Sequence, residues 1–259
     1  FLLPKDLRKY FNAVYAFCRH TDDLGDETEG DRLALLSDWE AKLVLVYGGN
    51  PTHPIMVALQ DVVRRFDIPE QLFRRLIRAN RLDQGNVRFQ TYADLLDYCQ
   101  LSATPVGEMV LCVIGDTSEE SRRLSDSTCT ALQLANFWQD VRRDYEMGRI
   151  YIPIEDMAQF GYTEEELAAN ISNNAFRNLL HYEVARAQDL FDEGLPLVGR
   201  LEGRMKLDIA LFSKGGMRVL DAIRERDYDV LTKRPTVTAT RKLWLAATTS
   251  ARLTLRGRP

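Results

Sequence analysis

The sequence predicts an all-α fold, a helical bundle in one domain spanning residues 1–259. Apolar residues recur at helical spacing along most of the chain, in which 45% of residues are hydrophobic and 28% are charged. Alternating strand-like runs are nearly absent, and no low-complexity linker or fixed-period repeat divides the chain. A chain of 259 residues can bury a substantial core, so we expect a single domain of roughly eight or more helices.

Three helices are predicted in the first half of the chain, over residues 31–47, 69–82 and 93–114. The first carries leucine and valine at helical spacing and runs into Gly48, Gly49 and two prolines, which end a helix. The other two repeat this apolar spacing and are predicted on the same grounds.

Two longer helices are predicted in the second half. Ser118 and the acids after it supply capping chemistry for a helix over residues 119–146, and Gly148 ends that helix. The stretch from 148 to 163 is irregular, with a proline and a glycine as breaks. Thr163 and Glu166 have the spacing of a capping box, and an apolar stripe then runs through "NAFRNLLHYEVARAQDLFDEG".

The bulk composition argues against several classes of protein. A net charge of −4 gives no basic excess for nonspecific nucleic-acid binding, so we expect no nucleic-acid partner. The four cysteines lie far apart within apolar helical patterns, without the close pairs typical of zinc or redox sites. No apolar run approaches the roughly 18 residues of a membrane span, so we expect no such span. The unpaired cysteines indicate a reducing compartment, and we expect a cytoplasmic protein. The sequence starts without Met, and we expect it to be part of a longer gene product.

Two acidic ladders carry the chemical information in the sequence. In "FCRHTDDLGDE", Asp22 and Asp26 are four residues apart and share one helix face, with Asp23 and Glu27 displaced to the side. In "LQLANFWQDVRRDYEMGRIYIP", polar side chains recur every four residues on a helix that is otherwise apolar. The members of this second ladder are Asn136, Asp140 and Asp144, and Gln133 extends the stripe by nearly one turn.

The apolar surroundings of the second ladder point to cations. Two carboxylates and an amide oxygen within an apolar helix repel one another and lose solvation unless positive charge compensates them. Mg²⁺ suits such a ladder, because it prefers carboxylate oxygens, keeps several waters and is often completed by substrate phosphate oxygens. The two ladders therefore suggest a cluster of Mg²⁺ ions that joins the protein to a diphosphate.

Simpler interpretations remain open for each ladder alone. The acids from Asp22 to Glu27 could be a solvated helix end, and the second ladder could form ion pairs with Arg142 and Arg143. A purely structural helical module with acidic faces would explain both. The occurrence of both ladders in one all-α chain favours the metal hypothesis over these alternatives.

The two ladder motifs, with "LLDYCQLSATPVGEMVL" between them, resemble those of the head-to-head prenyl synthases, the squalene, dehydrosqualene and phytoene synthases. The resemblance covers most of the chain, and within the family these motifs look closest to the hydroxysqualene synthases of the bacterial hopanoid pathway. It implies an all-α isoprenoid synthase fold with a central apolar cavity and with the ladders facing each other across its mouth.

The resemblance also implies roles for individual residues. Asp22 and Asp26 match the first metal motif, and Asn136, Asp140 and Asp144 match the second. Arg19 and Arg149 match arginines that contact the diphosphate. Tyr98 matches a tyrosine thought to act near the cation and the leaving group, and Gln133 matches a glutamine that lines the cavity.

Two positions depart from the family pattern. Many relatives carry an arginine where this chain has Gln139, so one diphosphate-holding charge is missing, as would suit an enzyme that handles one diphosphate rather than two. The small "VAG" segment of relatives reads Ser102-Ala103-Thr104 here, and these hydroxyls could place a water beside the cation, although such hydroxyls often bond to their own helix. We therefore expect Mg²⁺-dependent conversion of presqualene diphosphate into hydroxysqualene by a water quench, without NADPH.

Two other functions are compatible with the sequence. Within the family, the chain could condense two prenyl diphosphates, such as farnesyl diphosphate, as a presqualene diphosphate, dehydrosqualene or phytoene synthase. Outside catalysis, it could resemble the synthase-like assembly factor of mitochondrial complex I, although both ladders are complete here.

A long isoprenoid product implies contact with the inner face of the membrane and coupling to other enzymes of the squalene and hopanoid pathway. The final segment, "TRKLWLAATTSARLTLRGR", mixes basic and apolar residues, as a helix that lies at a membrane interface does. A terminal helix packed against the protein is the favoured interpretation.

Overall fold

The structure, a computed structural model, describes residues 5–237. These residues form twelve α-helices, and among them the only β pairing is an isolated parallel bridge between Arg88 and Ile150. The all-α prediction is therefore confirmed. The helices are α1 (Arg8–Asp26), α2 (Arg32–Gly48), α3 (Pro54–Phe66), α4 (Glu70–Leu82), α5 (Tyr92–Ser102), α6 (Thr104–Ile114), α7 (Glu119–Glu146), α8 (Ile154–Phe160), α9 (Glu164–Ala168), α10 (Asn174–Gly194), α11 (Leu197–Arg200) and α12 (Gly203–Arg224).

The described residues divide into two compact units. Residues 5–87 and 97–126 form the first unit, and residues 88–96 and 127–237 form the second. The division falls inside α5 and α7, so each of these helices contributes residues to both units. A single domain over residues 1–259 stays a prediction.

In the first unit, α1 packs against α2, α3, α4 and α6. Phe17 on α1 is fully buried; its ring stacks on that of Trp39 at 5.5 Å and meets the edge of Phe73 at 4.9 Å. The indole nitrogen of Trp39 donates a 3.0 Å hydrogen bond to Oγ1 of Thr21, one residue before the first acidic ladder. The apolar face of α1 is thus fixed in the core, which sets the direction of its acidic end.

In the second unit, α10 packs against α8 and α12. The apolar stripe predicted for α10 is fully buried, and Asn173 caps the helix by accepting a hydrogen bond from the Phe176 amide at 3.0 Å. The stripe consists of Phe176, Leu180, Val184, Ala187 and Phe191. The predicted capping box of Thr163 and Glu166 is also present at the start of α9.

The structure corrects the helix predictions in two places. The single helix predicted over residues 93–114 is wrong, because it is two helices that are separated at Ala103. Pro105 lies in the first turn of α6, where its missing N–H is tolerated; within a continuous helix its ring would clash with the preceding turn. The stretch from 148 to 163, predicted to be irregular, contains the short helix α8, which begins directly after Pro153.

Within residues 5–237, no helix combines the length and the apolar character that a membrane crossing requires. The predicted terminal helix over residues 240–258 lies outside the described residues.

Candidate functional site

The first acidic ladder lies at the C-terminal end of α1, as predicted. Asp22 accepts a 3.4 Å hydrogen bond from Nδ2 of Asn80 on α4. Although part of Asp22 is solvent-exposed, desolvation by the surrounding protein raises the pKa of its carboxyl to about 6. The Asp26 carboxylate raises this pKa further, whereas Asn80 and Arg19 oppose the shift. Asp22 is thus a carboxylate that a nearby cation would stabilise.

Arg19 is held by the two acids that lie beside the ladder. Its guanidinium contacts Asp23 Oδ1 at 2.6 Å and Glu27 Oε1 at 2.8 Å, and half of the side chain is exposed. The spacing of these residues, four apart along the helix, explains the chain of ion pairs. Asp23 and Glu27 therefore orient the arginine, while Asp22 and Asp26 share the adjacent face.

Gly25 allows α1 and α4 to approach each other closely. It is buried, and a Cβ added at this position would collide with the Asn80 side chain. The same Asn80 amide donates to the Leu76 carbonyl at 3.1 Å, which fixes its orientation. The small residue in the middle of the acidic motif thus allows Asn80 to reach Asp22.

The second ladder lies on α7, within the second unit. Asn136 is exposed, Asp140 and Asp144 are partly buried, and the helix buries Phe137, Trp138 and Val141 around them. Gln133 is partly buried one turn earlier. The combination of a polar ladder and apolar flanks, which the sequence predicts, is present in the folded helix.

A cation does compensate this ladder, but it comes from Arg234, far along the chain. Arg234 pairs with Asp140 through Nε and, at 2.9 Å, through Nη2. The same Nη2 donates to Oε1 of Gln139 at 2.9 Å. Arg142, which the ion-pair alternative invoked, instead contacts Glu146 at 3.0 Å. That alternative is wrong for Arg142, because the side chain points along α7 to its last turn.

Asp144 and Arg149 line one small cavity of the second unit, together with the aromatic rings of Phe137, Trp138 and Tyr151. Arg149 is buried, and its backbone N–H donates to the Asp144 carbonyl at 2.8 Å where α7 ends. The loop at Gly148, with φ near +80°, turns the chain so that Arg149 follows the ladder closely. An acid and an arginine are thereby placed at the same end of the helix.

Tyr98 is buried on α5, and its hydroxyl donates a 2.7 Å hydrogen bond to Oδ2 of Asp83. Asp83 follows the last residue of α4, so the contact joins two elements of the first unit. A phenol that donates a hydrogen bond to a carboxylate gains electron density on its oxygen. The arrangement can stabilise positive charge near the ring.

The two hydroxyls of the Ser102-Ala103-Thr104 segment differ. The Oγ of Ser102 is buried and has no hydrogen-bond partner among residues 5–237. Oγ1 of Thr104 accepts from Arg75 Nη2 at 2.6 Å and donates to the Gln100 carbonyl at 3.2 Å. The Thr104 hydroxyl is therefore occupied within the helix packing, whereas the Ser102 hydroxyl makes no hydrogen bond to residues 5–237.

The donor set fits Mg²⁺ held jointly with a phosphate ligand. In the part of the chain that the structure describes, no three His, Cys, Asp or Glu side chains converge to hold a metal by themselves. Mg²⁺ at phosphate sites is bound by only one or two carboxylates, with water and phosphate oxygens completing the octahedron. The desolvated carboxyl of Asp22 beside Asp26, and the Asp140 carboxylate that already requires a cation, are suited to this role.

Several residues of the site carry no signal in the sequence. Asn80, Asp83 and Arg234 contact Asp22, Tyr98 and Asp140, respectively, across 58, 15 and 94 positions of chain. None belongs to either ladder motif, and only the tertiary structure shows which side chains they contact.

The all-α architecture is that of the isoprenoid synthases. Comparison with known proteins agrees. The chain belongs to the squalene/phytoene synthase family, whose family model matches residues 1–241. The resemblance to head-to-head prenyl synthases is confirmed, and the chain is a prenyl diphosphate-processing enzyme.

Individual relatives include more than one kind of synthase. The chain is 32% identical over 256 residues to 15-cis-phytoene synthase of Synechococcus elongatus, a match that covers 93% of this chain and 83% of the relative. Squalene synthase HpnC from Alicyclobacillus acidocaldarius is 45% identical, with a TM-score of 0.85 over 88% of this chain and 87% of that structure. A dehydrosqualene synthase solved with a ligand is 28% identical, with a TM-score of 0.88 over 98% and 89% of the two chains.

Proposed function

We propose that the chain ionises presqualene diphosphate and quenches the rearranged cation with water, which yields hydroxysqualene. The motif resemblance supports this reaction, as does the 45% identity to a protein described as a squalene synthase. The main alternative is condensation of two prenyl diphosphates, which the similarity to phytoene synthases favours.

In this proposal the acids and arginines act on the diphosphate end of the substrate. Asp22, Asp26, Asn136, Asp140 and Asp144 are the assigned metal ligands. Bound Mg²⁺ would neutralise the charge that develops on the diphosphate as its bond to carbon breaks.

The two arginines assist the same end of the substrate. Arg19 and Arg149 are assigned to the phosphate oxygens, because a guanidinium stays protonated and can donate two parallel hydrogen bonds. The ion pairs of Arg19 with Asp23 and Glu27 restrict its side chain before substrate arrives.

Tyr98 and Gln133 are assigned to the hydrocarbon end. The hydrogen bond to Asp83 fixes the phenol of Tyr98 and makes its oxygen electron-rich, so the ring and its oxygen can stabilise a carbocation while the phenol proton stays in the hydrogen bond to Asp83. Gln133 would line the cavity wall.

The observation that carries the choice of a water quench is the buried Ser102 hydroxyl without a partner among residues 5–237. Buried polar groups are normally satisfied, so such a hydroxyl favours an ordered water. That water would attack the cation through its oxygen and lose a proton, which gives an alcohol. No reductant is consumed, consistent with the expectation that NADPH is not required.

The decisive experiment is separate incubation of the protein with farnesyl, geranylgeranyl and presqualene diphosphates, each with Mg²⁺, followed by product analysis. We expect hydroxysqualene from presqualene diphosphate, and oxygen from ¹⁸O-labelled water in its hydroxyl group. Turnover of farnesyl or geranylgeranyl diphosphate to a stable product, with presqualene diphosphate untouched, would establish the condensation alternative instead. Failure to bind any diphosphate at millimolar Mg²⁺ would favour a non-catalytic relative.

A peripheral membrane location belongs to the same proposal, because an apolar product must pass to a membrane or to the next enzyme of the pathway. Flotation with anionic lipid vesicles tests this location. Recovery of all the protein in the bottom fraction would contradict it.

A further inference from the structure

Arg234, which follows α12 in the chain, forms an ion pair with Asp140 of the α7 ladder. One guanidinium, that of Arg234, covers both oxygens of Asp140. An arginine side chain keeps its proton in proteins. Arg234 therefore supplies the positive charge that the ladder requires.

Gln139 holds this arginine in place. The residue is buried with 7% of its surface exposed, and both ends of its amide are engaged. Oε1 accepts from Arg234, and Nε2 donates to the Pro235 carbonyl at 2.7 Å. A neutral amide can accept from a cation and donate to a carbonyl at once, whereas an apolar or a positively charged side chain cannot. Gln139 thus ties residues 234 and 235 to α7 beside Asp140.

The two partners of the ion pair differ in exposure. The side chain of Asp140 is 16% exposed, whereas that of Arg234 is 49% exposed. A cavity of about 160 Å³ adjoins the pair, lined by Arg142, Arg143 and Lys233 among others. Water and space are therefore available to a displaced guanidinium, so the pair can open while Asp140 stays where it is.

We propose that Arg234 competes with the divalent metal ion for Asp140, and that Gln139 is the positioning residue that keeps this competitor in place. The inference rests on the proposed function, because it takes Asp140 as a Mg²⁺ ligand. A free metal ion reaches Asp140 only when the guanidinium leaves, so it binds weakly by itself. An anionic ligand that arrives with the metal restores the charge balance, which couples the binding of metal and diphosphate.

The test measures metal binding without turnover. Mn²⁺ is titrated into the protein in the absence of diphosphate, and the free ion is followed by electron paramagnetic resonance. R234Q is expected to bind Mn²⁺ roughly tenfold more tightly than wild type, the size expected for loss of one charge-assisted pair. Q139L should bind more tightly than wild type by a smaller factor, because Arg234 remains but is no longer held.

R142Q is the matched control. Arg142 lines the same cavity and carries the same charge, but it contacts Glu146 and the Leu231 carbonyl rather than Asp140. Its removal lowers the local positive charge without uncovering a metal ligand, so Mn²⁺ affinity should change by less than about twofold. Circular dichroism and thermal unfolding establish that each variant is folded. A loss of packing alone would weaken Mn²⁺ binding rather than strengthen it.

The outcomes separate this inference from the proposed function. If wild type binds Mn²⁺ and D140N does not, but R234Q binds no more tightly than wild type, Arg234 is not a competitor and the inference fails alone. Equal tightening in R142Q and R234Q would also overturn it, because general electrostatics would then explain the effect. If no form binds Mn²⁺, even with diphosphate added, the metal assignment fails and the inference fails with it.

Discussion

The hydroxyl of Tyr98 donates a 2.7 Å hydrogen bond to Oδ2 of Asp83, and this contact fixes the phenol of a residue assigned to cation stabilisation. Y98F removes the oxygen and keeps the ring, so it should lower kcat by about 100-fold. D83N keeps an acceptor but loses its charge, and should lower kcat by roughly tenfold with little change in KM. Steady-state kinetics of the three proteins measures both effects.

Y47F is the control for Tyr98. The Tyr47 hydroxyl donates to the Ile68 carbonyl at 2.8 Å in the same unit, outside the assigned site. Its loss should cost about 1 kcal/mol of stability and leave kcat unchanged. Equal losses of activity in Y47F and Y98F would assign Tyr98 a purely structural role.

The second prediction concerns Asp140. D140N keeps the shape of the side chain but removes the negative charge, so turnover should fall below detection while the far-UV circular dichroism spectrum is unchanged. D61N is the comparison, because Asp61 forms an exposed ion pair with Lys9 and should leave turnover intact. Substantial activity in D140N would contradict the metal assignment.

The Ser102 and Thr104 hydroxyls allow a paired test of the water quench. S102A breaks no hydrogen bond within residues 5–237, so stability should be unchanged, but the product should shift from the alcohol towards alkenes formed by proton loss. T104V removes the bonds to Arg75 and Gln100 and should cost about 1–3 kcal/mol of stability. Product analysis and urea unfolding separate the two effects. An unchanged alcohol yield in S102A would remove Ser102 from the proposal.

A buried carboxyl in the second unit should make stability depend on pH. Glu183 is fully buried, and desolvation, followed by its hydrogen bond with Asp156, raises its pKa from 4.5 to about 9 against the opposing charge of Arg186. Between these two values the unfolded chain has lost the proton and the folded chain retains it. The Glu183 contribution to stability is therefore full below about pH 4.5 and is lost as pH rises towards about 9.

E183Q measures this contribution, because its neutral amide cannot titrate. Urea unfolding at pH 5, 7 and 9 covers the interval between the two pKa values of Glu183. The free energy of unfolding of E183Q, relative to that of wild type, should increase with pH over this interval. A relative stability that is constant over this range would mean that Glu183 is ionised in the folded protein.

Two adjacent glycines of α12 give a packing prediction with a built-in control. A Cβ at Gly216 would collide with Phe191 and Leu132, so G216A should destabilise the protein by about 1–3 kcal/mol. A Cβ at Gly215 meets nothing within 4 Å, and G215A should stabilise the helix by up to about 1 kcal/mol. Thermal unfolding of both variants distinguishes the two positions. Equal effects would mean that α12 is not packed as closely at Gly216 as the structure indicates.

Much of the fold could be predicted because local rules and tertiary packing agree along the chain. The α10 stripe and the Thr163 capping box are examples, since each element is encoded within a few neighbouring positions. The break between α5 and α6 was missed because apolar spacing continues through Ala103 and Pro105, and periodicity alone does not register the missing N–H. The prediction failed where backbone chemistry, rather than side-chain pattern, decides the structure.

The candidate site could be predicted only where its residues lie close together in the sequence. Asp22, Asp26 and the α7 ladder are visible because residues four apart share a helix face. The need for positive charge at the ladder was also visible, but its source was not, because Arg234 is 94 positions from Asp140. The roles of Asp83 and Asn80 likewise depend on which helices meet, and the sequence alone does not specify these contacts.

Gly25 shows how a residue without a side chain can tune acid strength. The clearance at its Cα admits the Asn80 amide, whose hydrogen bond favours the ionised form of Asp22. A methyl group at this position would displace the Asn80 amide, and the pKa of Asp22 would rise further. A single hydrogen atom at Gly25 thereby helps to set the pH at which this carboxylate is ready for a cation.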